Sequence, residues 1–138
     1  MGSIEFRSPN KKEHDSDGEL TMSADKKINY VELPAANLDK LEAFYSKSFG
    51  WTFTDYGPEY RAFSDGSLDG GFSVSGLKSN TASGAALIVL YANDLEAARD
   101  TVRDNGGTIC RDIFSFPGGR RFQFLDPSGN ELAVWSDK

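Results

Sequence analysis

Two glutamates lie in segments where the apolar pattern predicts β-strands. Glu32 lies between Val31 and Leu33, and Glu131 begins an apolar segment that ends at Trp135. Two carboxylates facing one cleft could bind a cation together, or one could act as a general base if burial raised its pKa. Strand-end glutamates are also often solvated and without function, and this alternative stays open.

Aromatic residues form a second candidate group. Alternation along the predicted strands places them on the same concave face as the two glutamates, where they could stack on a flat or cationic ligand. The alternative is that they belong to the core or to a dimer interface. The candidate aromatic residues are Tyr30, Trp51, Phe53, Phe63, Phe72 and Trp135.

The remaining reactive residue types are few. Arg61, Arg120 and Arg121 could hold an anionic group, but at least two of them are expected to be solvated charges at strand edges. Cys110 is the only cysteine and is expected to be buried and structural. The only histidine, His14, precedes the predicted domain. Ser-His-Asp, Cys-His and histidine-based zinc chemistry are therefore excluded for the domain.

An internal repeat positions these residues. Each copy contains an apolar strand, an asparagine, an amphipathic helix, a glycine and then three strands, which predicts two βαβββ modules in one α+β domain with a concave cleft. The modules cover about 28–75 and 85–137, and a polar linker covers 76–84. A leader over 1–21, either a natural disordered arm or an extension added by cloning, precedes the domain at 22–138. The matched pairs are Asn37 with Asn93, Gly50 with Gly106, and Thr52 with Thr108.

Local signals give the element boundaries. In the first module Pro34 is expected to end the first strand, Asn37 to cap the helix and Gly50 to end it. In the second, Asn93 with Glu96 resembles a capping box. The predicted strands are 28–33, 51–56, 60–64, 71–75, 85–91, 108–113, 120–125 and 131–135.

The composition limits the possible partners. The chain has 138 residues and a formal net charge of −6, which argues against nucleic acid as a ligand. No apolar run approaches the length of a membrane span, and no signal-peptide core is present. A cytoplasmic protein with a small-molecule partner is expected.

Three segments carry a family resemblance. They are VELPAANLDKLEAFYSKSFGW, ANDLEAARDTVRDNGG and GRRFQFLDPSGNELAVW. Together they resemble the glyoxalase / bleomycin-resistance / dioxygenase superfamily, also called vicinal oxygen chelate proteins. The resemblance covers residues 28–137 and implies paired βαβββ modules, a ligand site in the cleft between them and a homodimer.

The same resemblance implies a divalent metal held by histidine and glutamate side chains. The corresponding positions in this sequence are Tyr30, Leu87 (or Ala86), Ala133 and a position near Phe72. None of these residue types replaces a His/Glu ligand set. The sequence therefore predicts neither a metal nor another cofactor.

Three functional hypotheses follow. The first is a metal-free protein that sequesters a flat and possibly cationic small molecule in an aromatic cleft, as in the bleomycin-resistance branch. The second is a glyoxalase-like enzyme, of lyase or isomerase type, that uses Glu32 or Glu131 as base. The third is a structural dimer with a vestigial cleft. Fold membership does not choose between them, because function resides in the site.

Overall fold

The computed structural model describes residues 24–138 as two four-stranded sheets, each with one helix. The predicted leader over 1–21 lies outside the described residues, as does His14. In chain order the elements are β1 (Tyr30–Ala35), α1 (Leu38–Phe49), β2 (Thr52–Asp55), β3 (Tyr60–Ser64), β4 (Asp69–Val74), a single turn of 3-10 helix (Thr81–Ser83), β5 (Ile88–Tyr91), α2 (Leu95–Asp104), β6 (Thr108–Phe116), β7 (Gly119–Leu125) and β8 (Glu131–Ser136).

The two sheets have the same topology. The strand orders are β1-β4-β3-β2 and β5-β8-β7-β6. In each sheet the first strand of the module pairs in parallel with the last, and the other pairs are antiparallel. The prediction of an α+β fold made of paired βαβββ modules is confirmed. No helix within residues 24–138 is long and apolar enough to cross a membrane.

The first helix begins and ends where the sequence predicts. The Asn37 side chain accepts a hydrogen bond from the Lys40 backbone N–H at 3.0 Å, which satisfies one of the unpaired donors at the helix N-terminus. Gly50 ends the helix with φ 74°, a left-handed conformation that glycine adopts without a Cβ clash.

Two predicted boundaries are wrong. Pro34 does not end β1, which continues to Ala35; β1 is an edge strand, where a residue without an N–H is tolerated. The α2 cap is Asp94, not Asn93, because Asp94 accepts the Ala97 N–H at 3.0 Å. This one-residue shift places Leu95 at the start of α2, where it is buried.

One core joins the two modules. Both helices and both sheets contribute to a single cluster of buried apolar side chains. Phe124 of β7 makes the link, since its ring centroid lies 5.8 Å from that of Phe44 and 5.9 Å from that of Phe49, both in α1. The largest fully buried apolar members of the cluster are Leu41, Phe44, Tyr45, Phe72, Leu95, Val102, Phe122, Phe124, Leu132 and Val134.

A buried aspartate connects the turn between β7 and β8 to the first helix. Asp126 accepts hydrogen bonds from the backbone N–H groups of Ser128 and Asn130, from the Asn130 side chain, and from the Tyr45 hydroxyl at 2.8 Å. Burial raises the pKa of Asp126, and these donors act against the rise. Each donor therefore stabilises a charge that burial disfavours.

The same turn also binds the end of β1. The Asn130 side chain donates to the Pro34 carbonyl at 2.8 Å, and the Ser128 hydroxyl accepts the Ala36 N–H at 2.9 Å. Pro34 therefore presents its carbonyl to the second module. These bonds fix the first module against the second.

Tyr45→Phe is expected to lower the free energy of unfolding by about 1–3 kcal/mol, because it removes one donor from a buried carboxylate. Chemical denaturation measures the loss. Tyr91→Phe is the matched control, since its hydroxyl bonds to the exposed Asp137, and a change within about 0.5 kcal/mol is expected there. Equal losses in both variants would contradict a special role for the buried pair.

Candidate functional site

Each sheet has an open face, defined here as the face opposite its helix. On the first sheet this face carries a chain of hydrogen bonds that ends at a carboxylate. The Tyr60 hydroxyl donates to Glu32 Oε2 at 2.9 Å, and the Tyr30 and Tyr60 hydroxyl oxygens lie 2.5 Å apart. The Tyr60 ring lies against the backbone of Gly71, where an added Cβ would overlap the phenol. A glycine at this position is therefore needed for Tyr60 to reach Glu32.

Both phenols of this chain are protonated at neutral pH. Burial is the main cause that raises the pKa of Tyr60, and its hydrogen bonds to Tyr30 and Glu32 add to the rise. Burial likewise raises the pKa of Tyr30. Glu32 is exposed. Tyr60 gives its only proton to Glu32, so Tyr30 is the donor in the contact between the two phenols. The group therefore presents the Glu32 carboxylate as an acceptor, and a bound molecule would receive a phenol hydrogen bond only by replacing one of these.

On the second sheet Glu131 binds the linker between the modules. Its Oε1 accepts both the backbone N–H and the hydroxyl of Thr81 at 2.8 Å, and its Oε2 accepts the Gln123 amide at 2.7 Å. The Thr81 N–H is the main cause that lowers the pKa of Glu131. This arrangement favours an anchor for the linker over a general base, which would need a raised pKa.

Glu131→Gln is expected to lower the melting temperature by about 4 °C near neutral pH. The folded-state pKa is lowered below 4.5, so the ionised form contributes stability above that value and loses it as the pH falls through the folded pKa. The difference between the two proteins should therefore disappear in strong acid. Thermal melts of both proteins from neutral pH to strong acid test this expectation, with Glu59→Gln, at an exposed glutamate, as control. A difference that is independent of pH would contradict the anchor.

Four of the predicted cleft aromatics lie on the wrong face. Trp51, Phe53, Phe63 and Phe72 pack on the helix side of the first sheet, not on its open face. Trp51 stacks between Tyr45 of α1 at 4.5 Å and Phe63 at 4.6 Å. Stacking on a helix tyrosine buries these rings in the core, and the sequence pattern of β2 and β3 did not reveal that partner.

The other two aromatics lie on open faces. Tyr30 alternates with the core residue Leu33 along β1, and Trp135 alternates with the core residue Val134 along β8. The Trp135 ring contacts Tyr91 at a centroid distance of 5.3 Å, edge to face. The ligand-binding role expected for these rings stays a prediction.

A cavity of about 400 Å³ is lined by residues of β1 and β5, which are edge strands of the two sheets, and by core residues of the first module. We call it the seam cavity. Its walls are mostly aliphatic and aromatic, and Trp51 and Phe63 line it although they belong to the core. The lining residues are Val31, Leu33, Phe49, Trp51, Phe63, Asp65, Leu68, Ile88, Val89, Leu90 and Tyr91.

Two of the three candidate arginines pair with helix carboxylates. Arg61 Nη1 lies 2.7 Å from Asp39 and 3.0 Å from Glu42, both in α1. Arg120 Nη1 lies 2.6 Å from Glu96 in α2. Both arginines therefore lie on the helix side, and such partly exposed pairs contribute little to stability.

Arg121 lies instead on the open face of the second sheet, beside residues that sequence reasoning missed. The Arg121 guanidinium carbon lies 5.2 Å from the ring centroid of Phe114, and that of Arg111 lies 3.6 Å from the same ring. Simple alternation places residues 111 and 114 on opposite faces. A register shift in β6 brings both to one face, with Arg111 opposite Gln123 and Phe114 opposite Arg121.

The single cysteine is exposed, not buried as predicted. Cys110 lies in β6 at the first register shift, which disturbs the alternation used to place it. Partial burial, followed by the charge of Glu131, raises its pKa above 9.0. The group is therefore a thiol at neutral pH, which makes it a weak nucleophile.

The positions that correspond to metal ligands do not fit a metal ion. Tyr30 is a protonated phenol, Ala133 is a buried methyl group, and Phe72 is in the core on the other face. Leu87 and Ala86 have no donor atoms in their side chains. Within residues 24–138 no group of three or more His, Cys, Asp or Glu side chains is placed to hold an ion.

The purified protein, freed of any affinity tag, is expected to retain no stoichiometric Zn²⁺, Ni²⁺, Mn²⁺ or Fe²⁺ after incubation with each ion and dialysis, because the donor set is missing. Elemental analysis gives the ratio of metal to protein. One tightly held transition metal per subunit would contradict the interpretation of the site.

Fold and site together define a protein of two βαβββ modules with a potential ligand site between them. A family model for the "Glyoxalase/Bleomycin resistance protein/Dioxygenase superfamily" matches residues 27–134. A "Glyoxylase-like domain-containing protein" of Didymella fabae is 32% identical over 118 residues, which cover 78% of this chain and 91% of the relative. The chain belongs to the glyoxalase/bleomycin resistance protein/dioxygenase superfamily.

Solved structures agree on the fold. A glyoxalase-related enzyme from Fulvimarina pelagi has a TM-score of 0.67 at 15% identity and covers 80% of this chain and 88% of its own. A glyoxalase/bleomycin resistance protein/dioxygenase family enzyme from Burkholderia phytofirmans PsJN has a TM-score of 0.68 at 15% identity, and the match covers 80% of this chain and 98% of that enzyme. The fosfomycin resistance protein FosX from Mesorhizobium loti has a TM-score of 0.66 at 12% identity, and the match covers 80% of this chain and 92% of FosX.

Proposed function

We propose that the protein binds a flat, neutral or cationic small molecule in the seam cavity, without a metal ion. The observation that carries the proposal is the cavity itself, whose volume of about 400 Å³ lies in the range typical of small-molecule sites. The Trp51 and Phe63 rings, which line it, are inclined by only 15° to each other. The two rings stack directly on each other at a centroid distance of 4.6 Å, so they form one aromatic wall against which a planar ligand can pack.

The charge of the cavity favours a neutral or cationic ligand over an anion. Of the described residues that line it, Asp65 alone is charged at neutral pH. Its Oδ1 accepts the backbone N–H groups of Ser67 at 2.8 Å and Leu68 at 2.6 Å, so the carboxylate is held in place beside the cavity. A cationic group bound there would gain a charge-assisted contact.

The open state of the cavity supports binding over a vestigial cleft, because the side chains of residues 24–138 do not fill it. An enzyme is the second candidate. The chain Tyr30–Tyr60–Glu32 supports it, since the phenols can orient a substrate beside a carboxylate that could accept a proton from it. The binding function is favoured because no described carboxylate combines a raised pKa with access to the cavity.

Proflavine, a flat cation, is expected to quench the fluorescence of Trp51 saturably in a Trp135→Phe background, with carbazole weaker and anthracene carboxylate weakest. Val31→Phe, which fills the cavity, should weaken proflavine binding by about tenfold or more. Val74→Phe is the matched control, since Val74 is an exposed valine of the same sheet outside the cavity lining.

A chelator should leave this binding unchanged. Asp65→Asn should reduce the preference for proflavine over carbazole. Three results would refute the proposal: no saturable quenching by any compound, equal loss in the Val31→Phe and Val74→Phe variants, or dependence on an added metal ion. Turnover of a ligand by the parent protein, lost in Glu32→Gln, would favour the enzyme.

A further inference from the structure

Two arginines meet at one aromatic ring on the open face of the second sheet. The Arg111 and Arg121 guanidinium carbons lie 3.6 Å and 5.2 Å from the centroid of Phe114. Because both guanidinium carbons lie close to the same ring, the distance between them cannot exceed the sum of these two distances. We call Arg111 and Arg121 the arginine pair.

The arginine pair has no carboxylate partner within residues 24–138, unlike Arg61, Arg99 and Arg120, which all form ion pairs. Two cations close together without a counter-ion repel each other. An anion placed between them would remove that repulsion and form charge-assisted hydrogen bonds.

The Arg121 side chain also contains an unused donor. Its Nε is buried and has no hydrogen-bond acceptor among the described residues, which is a costly state for a polar group. Its Nη2 donates to the neutral Oε1 of Gln123 at 3.3 Å. Gln123 in turn donates to Glu131, so the amide lies between the guanidinium and the Glu131 carboxylate.

A row of rings leads away from the arginine pair. Phe114 lies 6.5 Å from Phe116, Phe116 lies 6.3 Å from Trp135, and Trp135 lies 5.3 Å from Tyr91, between ring centroids. The Phe116 ring also lies 6.0 Å from the Arg121 guanidinium carbon. The row gives apolar contact area next to a fixed positive charge, which suits a ligand with one planar and one anionic part.

We propose that this face binds a planar organic anion, an aromatic carboxylate, with its carboxylate at the arginine pair and its ring on Phe116 and Trp135. This site differs from the seam cavity in its position and in the charge of the ligand that it favours. The strand order β5-β8-β7-β6 places the arginine pair on β6 and β7, at the end of the sheet away from β5. The arginine pair favours an anion, whereas Asp65 disfavours an anion in the seam cavity.

Isothermal titration with naphthalene carboxylate tests the proposal. Arg121→Gln and Arg111→Gln should each weaken binding by about tenfold or more. Arg120→Gln is the matched control, because it removes the same charge from the adjacent residue, whose side chain pairs with Glu96 on the helix side. A change below about twofold is expected there. Melting temperatures of all three variants check that they are folded.

Ligand analogues separate the two parts of the site. Naphthalene carboxamide, the neutral analogue, should bind more weakly than the carboxylate, and naphthylmethylammonium more weakly still. Sulfate should compete poorly, because it cannot use the rings. Val31→Phe, which blocks the seam cavity, should leave carboxylate binding unchanged, so this site can fail or succeed independently of the cavity.

Four results would overturn the proposal. They are the absence of saturable carboxylate binding, an equal effect of Arg120→Gln and Arg121→Gln, equal affinity for the carboxylate and the carboxamide, and loss of carboxylate binding in Val31→Phe. The second would mean that only the net charge acts, and the last that the anion occupies the cavity.

Discussion

The buried carboxylate of Asp126 is the interaction on which the joining of the two modules depends. It sets the turn between β7 and β8 through two backbone N–H groups and receives the Tyr45 hydroxyl from the other module. Asn130 and Ser128 of the same turn then bind the end of β1. A charge with this degree of burial is tolerated only when every donor is in place. Together with the shared core around Phe124, that requirement sets the relative position of the two sheets, and hence the seam between them.

The repeat does not reproduce this interaction in the first module. Asp65 follows β3 as Asp126 follows β7, and it also accepts two backbone N–H groups of its own turn. However, the eighth residue of α1 is Tyr45, whereas the eighth residue of α2 is Val102, which has no hydroxyl to donate. Asp65 remains exposed and lines the seam cavity. In both turns the first aspartate accepts backbone N–H groups, but the second N–H comes from the third residue after Asp65 and from the fourth residue after Asp126. The Asp126 turn joins the two modules, whereas the Asp65 turn contributes a carboxylate to the lining of the seam cavity.

The sequence predicted the fold better than the site, for identifiable reasons. Helix caps and glycine stops are local signals, so Asn37 and Gly50 were located correctly. The face of a strand depends on what packs against it, and the ring of Tyr45, which stacks on Trp51 and Phe72 on the helix side, acts across elements. A bulge is harder still, because a single register shift reverses the alternation beyond it. For that reason Arg111 and Phe114 could not be assigned to one face from their spacing.

The two modules share a frame but differ in the chemistry of their open faces. The first presents two phenols and the Glu32 carboxylate, whereas the second presents the arginine pair beside a row of rings. In the second module Glu131 is bound by Thr81 and Gln123, so it does not neutralise the guanidinium groups. Because the strands and caps of both modules are specified by core-facing and turn residues, the outward positions are free to differ. A duplicated fold can therefore carry open faces of opposite charge, and a single averaged description of the cleft as acidic and aromatic would miss the basic face.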